Sequence, residues 1–289
     1  MDAARRIEDA LQAALATAGG PGGPPRLAAA MRDAVFPGGA RVRSRLTLAV
    51  AQACGDDAPE VSDAAAAAIE ILHCASLVHD DLPCFDDAPI RRGKPSVHAA
   101  FGQPLAVLAG DALIVLAFET IACGASRRPG RIGRLVSTIG AAVGAPHGIC
   151  AGQAWECEPS VPLALYQQAK TGALFAAATA AGAAACGRSG DAWRPLGLQL
   201  GEAFQVADDI RDVYCTAEDL GKPINRDAAL GRPNAAAAMG LPEAILHLKR
   251  LLASAVDSIP PCPGADDLRR LIVAQTATFL PKELALKAA

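Results

Sequence analysis

Ser62-Asp63-Ala64-Ala65-Ala66-Ala67-Ala68-Ile69-Glu70-Ile71-Leu72-His73-Cys74-Ala75-Ser76-Leu77-Val78-His79-Asp80-Asp81 is the stretch on which the fold turns. Ile69, Leu72, Leu77 and Val78 recur among alanines, and alanine is the best helix former. The stretch therefore predicts a buried helix from about 62 to 81, ended by Pro83, which cannot continue it. The whole chain of 289 residues has the same character: 52% hydrophobic but only 4% aromatic. Segments rich in valine, isoleucine and aromatics, which strands favour, are scarce. An all-α, single-domain bundle around a central cavity is expected.

Working outward, the pattern predicts helices at about 2–17, 26–35 and 41–53 before this stretch. After it come 97–107, 111–124, 129–143, 145–157, 163–187, 192–218, 234–256 and 264–286. Pro37-Gly38-Gly39, Pro159 and Pro162 punctuate them. Residues 84 to 95 read as a charged loop, and Leu220 to Pro233, rich in glycine and proline, as a loop or lid. The uncharged run Thr171 to Gly187 approaches the length of a membrane span. It is mostly alanine and glycine, however, and reads as a tightly packed core helix. No integral membrane segment is expected, and the charged N-terminus lacks the apolar centre of a signal peptide.

The formal net charge is -3 and no long basic run occurs, which argues against nucleic acid as a partner. Nine cysteines are scattered without a CxxC pair, as fits a reducing cytoplasm rather than a disulfide framework or zinc site.

Two acidic clusters carry the chemistry. Asp80, Asp81, Asp86 and Asp87 follow the apolar helix, and Arg91-Arg92 follow them. Bunched carboxylates repel unless a cation neutralises them. Oxygen-only ligands suit magnesium, which binds through a few carboxylates plus substrate phosphate. The insertion Leu82 to Phe85 brings Asp86 back towards Asp80, and paired arginines match diphosphate oxygens. The second cluster, Asp208-Asp209-Ile210-Arg211-Asp212, lies inside a helical pattern. Asp208 and Asp212 share a face with Gln205 there, at a spacing that destabilises a helix unless shared cations compensate.

With both clusters in view, the sequence resembles the trans-polyprenyl diphosphate synthases, most closely the bacterial geranylgeranyl diphosphate synthases of carotenoid pathways. Asp80 to Asp86 resembles that family's first aspartate-rich motif with two extra residues, and Asp208 to Asp212 its second. The likeness runs from Phe36 to Arg232, through Gly110-Asp111, Gly152-Gln153, Lys170-Thr171-Gly172 and Leu220-Gly221-Lys222.

The resemblance implies roles. Asp80, Asp81 and Asp86 on one side, and Asp208, Asp209 and Asp212 on the other, would bind magnesium, with manganese as an alternative. Arg91, Lys170 and Lys222 would hold the allylic diphosphate, and Arg232 would also contact substrate. Arg43, His73 and Arg92 would hold isopentenyl diphosphate, and Thr171 and Gln205 would line the reacting region. The family's usual lysine after the two glycines is Ala40 here, and Arg41 could replace its charge. Ser44 stands for a usual proline, Glu156 for aspartate and Arg232 for lysine. Arg211 stands for an apolar residue and is expected to face outward. Ala75, five residues before the first motif, and Ser76 are small. The growing chain is thereby given room, which favours a twenty-carbon product over a fifteen-carbon one.

The resemblance implies a homodimer acting on isoprenoid diphosphates. Farnesyl diphosphate synthase is the close rival. A non-catalytic partner subunit would be expected to have lost a cluster. A terpene cyclase would lack the isopentenyl-binding set and carry more aromatics.

Overall fold

The structure, a computed structural model, describes residues 2–20, 22–214 and 239–276. It is an all-helical bundle. The helices are α1 (Ala3–Ala18), α2 (Pro25–Val35), α3 (Val42–Ala53), α4 (Pro59–Asp80), α5 (Val97–Phe101), α6 (Gln103–Gly124) and α7 (Pro129–Val143), followed by α8 (Ile149–Ala154), α9 (Leu163–Gln167), α10 (Ala173–Ala185), α11 (Arg194–Tyr214), α12 (Leu241–Asp257) and α13 (Ala265–Thr276). The expected helices at 192–218, 234–256 and 264–286 correspond to α11, α12 and α13 within the described residues. The loop from Leu220 to Pro233, with Lys222 and Arg232, lies outside them.

α4 starts on Pro59, whose fixed φ suits a first helical position, with Glu60 favourably placed in the first turn. It is buried on almost every side and is flanked by α6, α3, α10 and α1. α10, the alanine-glycine run, is buried throughout from Leu174 to Ala185, as its composition predicts. It packs on α3, α4, α7 and α11. One continuous core extends from Ile7 in α1 to Ile272 in α13, and a smaller one joins α11 to α12 through Val206, Ile210, Ile245 and Leu248. By length and composition α4 and α6 could each cross a membrane. Here they pack along one another, and α6 keeps Leu108 and Val115 exposed.

Three departures from the expected helices have local causes. Residues 97–107 do not form one helix: Gly102 adopts φ +90°, and α6 begins immediately with Pro104 in its first turn. The 145–157 segment shortens to α8 and a 3₁₀ turn over Trp155–Cys157. The long 163–187 helix is interrupted by a π-turn over Gln168–Gly172, which carries Lys170 and Thr171. The charged loop also contains a short antiparallel hairpin, β1 (Ile90–Arg91) with β2 (Lys94–Pro95). Arg92 and Gly93, both at positive φ, make its tight turn.

Candidate active site

The C-terminus of α4 delivers Asp80, and the chain then folds back on itself. Asp86 N donates to Asp80 O at 3.0 Å and Ala88 N to Asp81 O at 3.1 Å, so the two inserted residues loop out and Asp86 returns beside Asp80. Glu156 comes from the 3₁₀ turn after α8. Asp80, Asp86 and Glu156 each offer one carboxylate oxygen, and the three atoms lie within 4.8 Å of one another. Burial, and then the charges of Asp86 and Glu156, raise the Asp80 carboxyl above its ordinary value against the opposing charge of Lys170. Three converging carboxylates with no nitrogen or sulfur donor fit a hard divalent cation such as magnesium.

Lys170 reaches into this group from the π-turn. Its Nζ donates to Asp80 at 3.2 Å and Glu156 at 2.6 Å. Glu156 also accepts from Tyr166 Oη at 2.6 Å and from Gln153 Nε2 at 3.1 Å. A π-turn adds a residue to a helical turn and is often found at functional sites. Here it points Lys170 at the first cluster and Thr171 at the second. Thr171 Oγ1 donates to Gln205 Oε1 at 3.2 Å, and Gln205 Nε2 donates to Asp209 at 2.9 Å. Asp209 and Asp212 are buried, whereas Asp208 is half-buried and accepts from Arg211 at 3.1 Å.

Three expectations, for Asp81, Arg41 and Arg211, meet a different arrangement here. Asp81 is not presented with Asp80 and Asp86: it is buried, and the Arg91 guanidinium grips it, with Nε at 3.0 and 3.1 Å from its two oxygens. Arg91 is accordingly paired to Asp81 and also lies 4.0 Å from Asp80. Arg41 does not replace the lysine missing at Ala40. Its guanidinium is buried, bonded to Glu8 and Glu70 at 2.9 Å each and to Val35 O at 2.9 Å. These partners hold its backbone in the left-handed region, φ +52°, at the start of α3. Arg211 does not face outward. Three residues on from Asp208 it shares that face, and its guanidinium lies 5.9 Å from the centre of the Phe204 ring.

The remaining cations gather beside α4. The guanidinium of Arg43 stacks 4.4 Å over Phe175, and its Nε is buried without a partner. Burial, and then Arg92, push Arg43 down to about 10 against the charge of Glu70. Burial, followed by Arg43, Arg92, Arg91 and Arg41, hold His73 neutral, well below its ordinary value. A neutral imidazole ringed by arginines, one with an unsatisfied donor, is a region that favours an anion. The would-be Cβ of Gly39 would lie 3.3 Å from the Arg92 guanidinium, so a cation does pack against the two glycines even though residue 40 is alanine.

Below the first cluster a cavity of about 340 Å³ is lined by Leu72, Ala75, Ser76 and His79 of α4, Phe85, Ile114, Val143, and a face of α8. Ala75 and Ser76 thus sit in its wall. A second hollow of about 500 Å³ lies along α11 beside Gln205 and Asp209. The eight described cysteines are free, and burial pushes the Cys54 and Cys74 thiols up to about 12, as expected of packing residues.

Glu156, Tyr166 and Gln153 are the site residues that the sequence reading did not assemble. Glu156 was visible as a departure after Gly152-Gln153. Its i, i+3 spacing from Gln153 is the signal that places both on one face.

Residues 24–258 match the family model described as polyprenyl synthetase. The chain is 52% identical over 283 residues to a geranylgeranyl diphosphate synthase of Cereibacter sphaeroides, covering 98% of each chain. It is 54% identical over 268 residues to that of Rhodobacter capsulatus, covering 93% of each. Among solved structures, an FPP/GFPP synthase from Zymomonas mobilis superposes with a TM-score of 0.80 at 31% identity, covering 95% of this chain and 97% of that one.

Proposed function

The chain belongs to the polyprenyl synthetase family, and from that premise we propose that it is a geranylgeranyl diphosphate synthase, adding isopentenyl diphosphate to dimethylallyl, geranyl or farnesyl diphosphate. The observation that carries the reading is the apolar cavity with small Ala75 in its wall, opening below converging carboxylates. The whole of 1–289 acts as one prenyl synthase domain.

Asp80, Asp86 and Glu156, with Asp208 across the π-turn, would hold magnesium. When bound, the ion supplies positive charge to the departing diphosphate. Lys170 and Arg91 bind that diphosphate. They gain charge-assisted bonds as the allylic carbon–oxygen bond ionises, and Lys222 and Arg232 add charge from beyond the described residues. Arg43, His73 and Arg92 hold isopentenyl diphosphate with its double bond aimed at the allylic carbon. Thr171 and Gln205 orient the reacting end. The double bond attacks, a new carbon–carbon bond forms, and a proton leaves to the released diphosphate. The apolar wall keeps water from quenching the cation.

The exposed apolar face of α6, with Leu108 and Val115, supports a homodimer. The eight described cysteines, four of them exposed, are all free, which supports a cytoplasmic setting. The likeness to carotenoid-pathway enzymes supports a carotenoid precursor as product.

The test is a product assay with magnesium, labelled isopentenyl diphosphate and farnesyl diphosphate, followed by chain-length analysis. A twenty-carbon product is expected. A product that stops at fifteen carbons from dimethylallyl diphosphate would favour the farnesyl synthase reading. No incorporation from any starter would reject catalysis.

A further inference from the structure

Glu156 is the longest arm of the first carboxylate cluster. Asp80 and Asp86 are shorter by one methylene, so Glu156 has a further torsion to fix before its carboxylate can converge with theirs. Three donors hold it. Oε1 accepts from Tyr166 Oη and from Lys170 Nζ at 2.6 Å each, and Oε2 accepts from Gln153 Nε2 at 3.1 Å. The phenol bond has the length of a charge-assisted O–H···O⁻ bond.

Of these donors, Lys170 has other work. Its Nζ also donates to Asp80, so the ammonium bridges two of the three converging carboxylates. When Lys170 turns to the diphosphate, Tyr166 and Gln153 stay on Glu156. Tyr166 is well placed for this. Its backbone N donates to Pro162 O at 3.0 Å, which fixes it in α9 just before the π-turn. The centre of its ring lies 5.7 Å from Lys170 Nζ, within cation–π range.

We propose that Tyr166 is a positioning residue for the first carboxylate cluster: its hydroxyl keeps Glu156 converged on Asp80 and Asp86 and so raises the affinity of the cluster for a divalent cation. This rests on the reading of these carboxylates as the cation site. Removing a hydrogen-bond partner from behind a metal ligand typically weakens metal binding ten- to hundredfold.

The experiment is a manganese titration of the full chain, read from the EPR signal of the free ion. It compares wild type, Tyr166→Phe, Glu156→Ala and the double variant, each well below its melting temperature. Tyr166→Phe keeps the ring and loses only the hydroxyl. It is expected to weaken, by about ten- to hundredfold, the manganese binding that Glu156→Ala removes, with a melting temperature near wild type. In the Glu156→Ala background it should add nothing, because the bond is already gone. Wild-type manganese binding by Tyr166→Phe would overturn the proposal, whether or not its melt shifts. A further loss in the Glu156→Ala background would overturn it too, since the hydroxyl would then act elsewhere. If Glu156→Ala binds manganese as wild type does, Glu156 is not a ligand and the proposal fails with it. Wild type that binds no manganese would reject the cation site as well, and a product assay on the same preparation tests prenyl transfer separately.

Discussion

Arg41 and Arg43 lie within one turn at the start of α3, yet one guanidinium is fully paired and the other keeps a buried donor unsatisfied. Removing one partner of a buried pair strands the other charge, at a cost of about 3–5 kcal/mol. Arg41→Met should therefore lower the melting temperature markedly while leaving KM for isopentenyl diphosphate near wild type. A raised KM without loss of stability would make Arg41 a ligand after all. His73 gives a pH prediction. Burial and the surrounding arginines hold it neutral in the native state, well below 6.5. The unfolded chain takes up a proton near that value and the native chain does not. The stability is thus present above pH 6.5 and is lost as pH falls below it, by at most about 1.4 kcal/mol per pH unit. His73→Gln should flatten the fall in melting temperature between about pH 7.5 and about pH 5.5. The acidic clusters were legible because bunched like charges in an apolar context are anomalous. The role of Arg41 was not, because its partners Glu8 and Glu70 are 33 and 29 residues away along the chain. Glu156 was visible as a departure, but its role was hidden for a related reason: a single glutamate after a short helix looks like solvated surface until folding brings Asp80 to it.

Among the elements, the π-turn and α8 position the site together. Gly152 lets α8 lie directly on the turn: a Cβ there would sit 2.5 Å from Lys170 N and 2.6 Å from its Cα. Gly152→Ala should push the two apart, costing about 1–3 kcal/mol in stability. Misplacing Lys170 by about an ångström should also lower turnover by about a hundredfold. A melt and a steady-state assay on the same preparation would show both; wild-type values would mean that the contact is slack. The central helices α4 and α10 were readable from alanine-rich apolar runs. The breaks were not: periodicity is blind to a wide turn imposed by packing, and the restart of α6 depends on Gly102 adopting a positive φ. The hairpin turn at Arg92-Gly93 was likewise masked by its charge.

For the molecule as a whole, the core built on α4 and α10 does not include the carboxylate site, so fold and catalysis separate. Chelation with EDTA should abolish turnover yet leave the melting curve almost unchanged. Magnesium with diphosphate should raise the melting temperature, a ligand at a hundred times its Kd adding about 2.7 kcal/mol. Unfolding on chelation alone would show that the ion is structural. The same separation has a consequence for descent. Each residue turns an α-helix by about 100°, so most single-residue deletions wreck a core helix. The wide turn at Gln168–Gly172 already holds one residue more than a regular turn needs. A one-codon deletion there would let α9 and α10 fuse into an ordinary helix, swinging Lys170 and Thr171 off both acidic clusters and sparing the bundle. A gene copy altered in this way would still make a folded protein, but an inactive one.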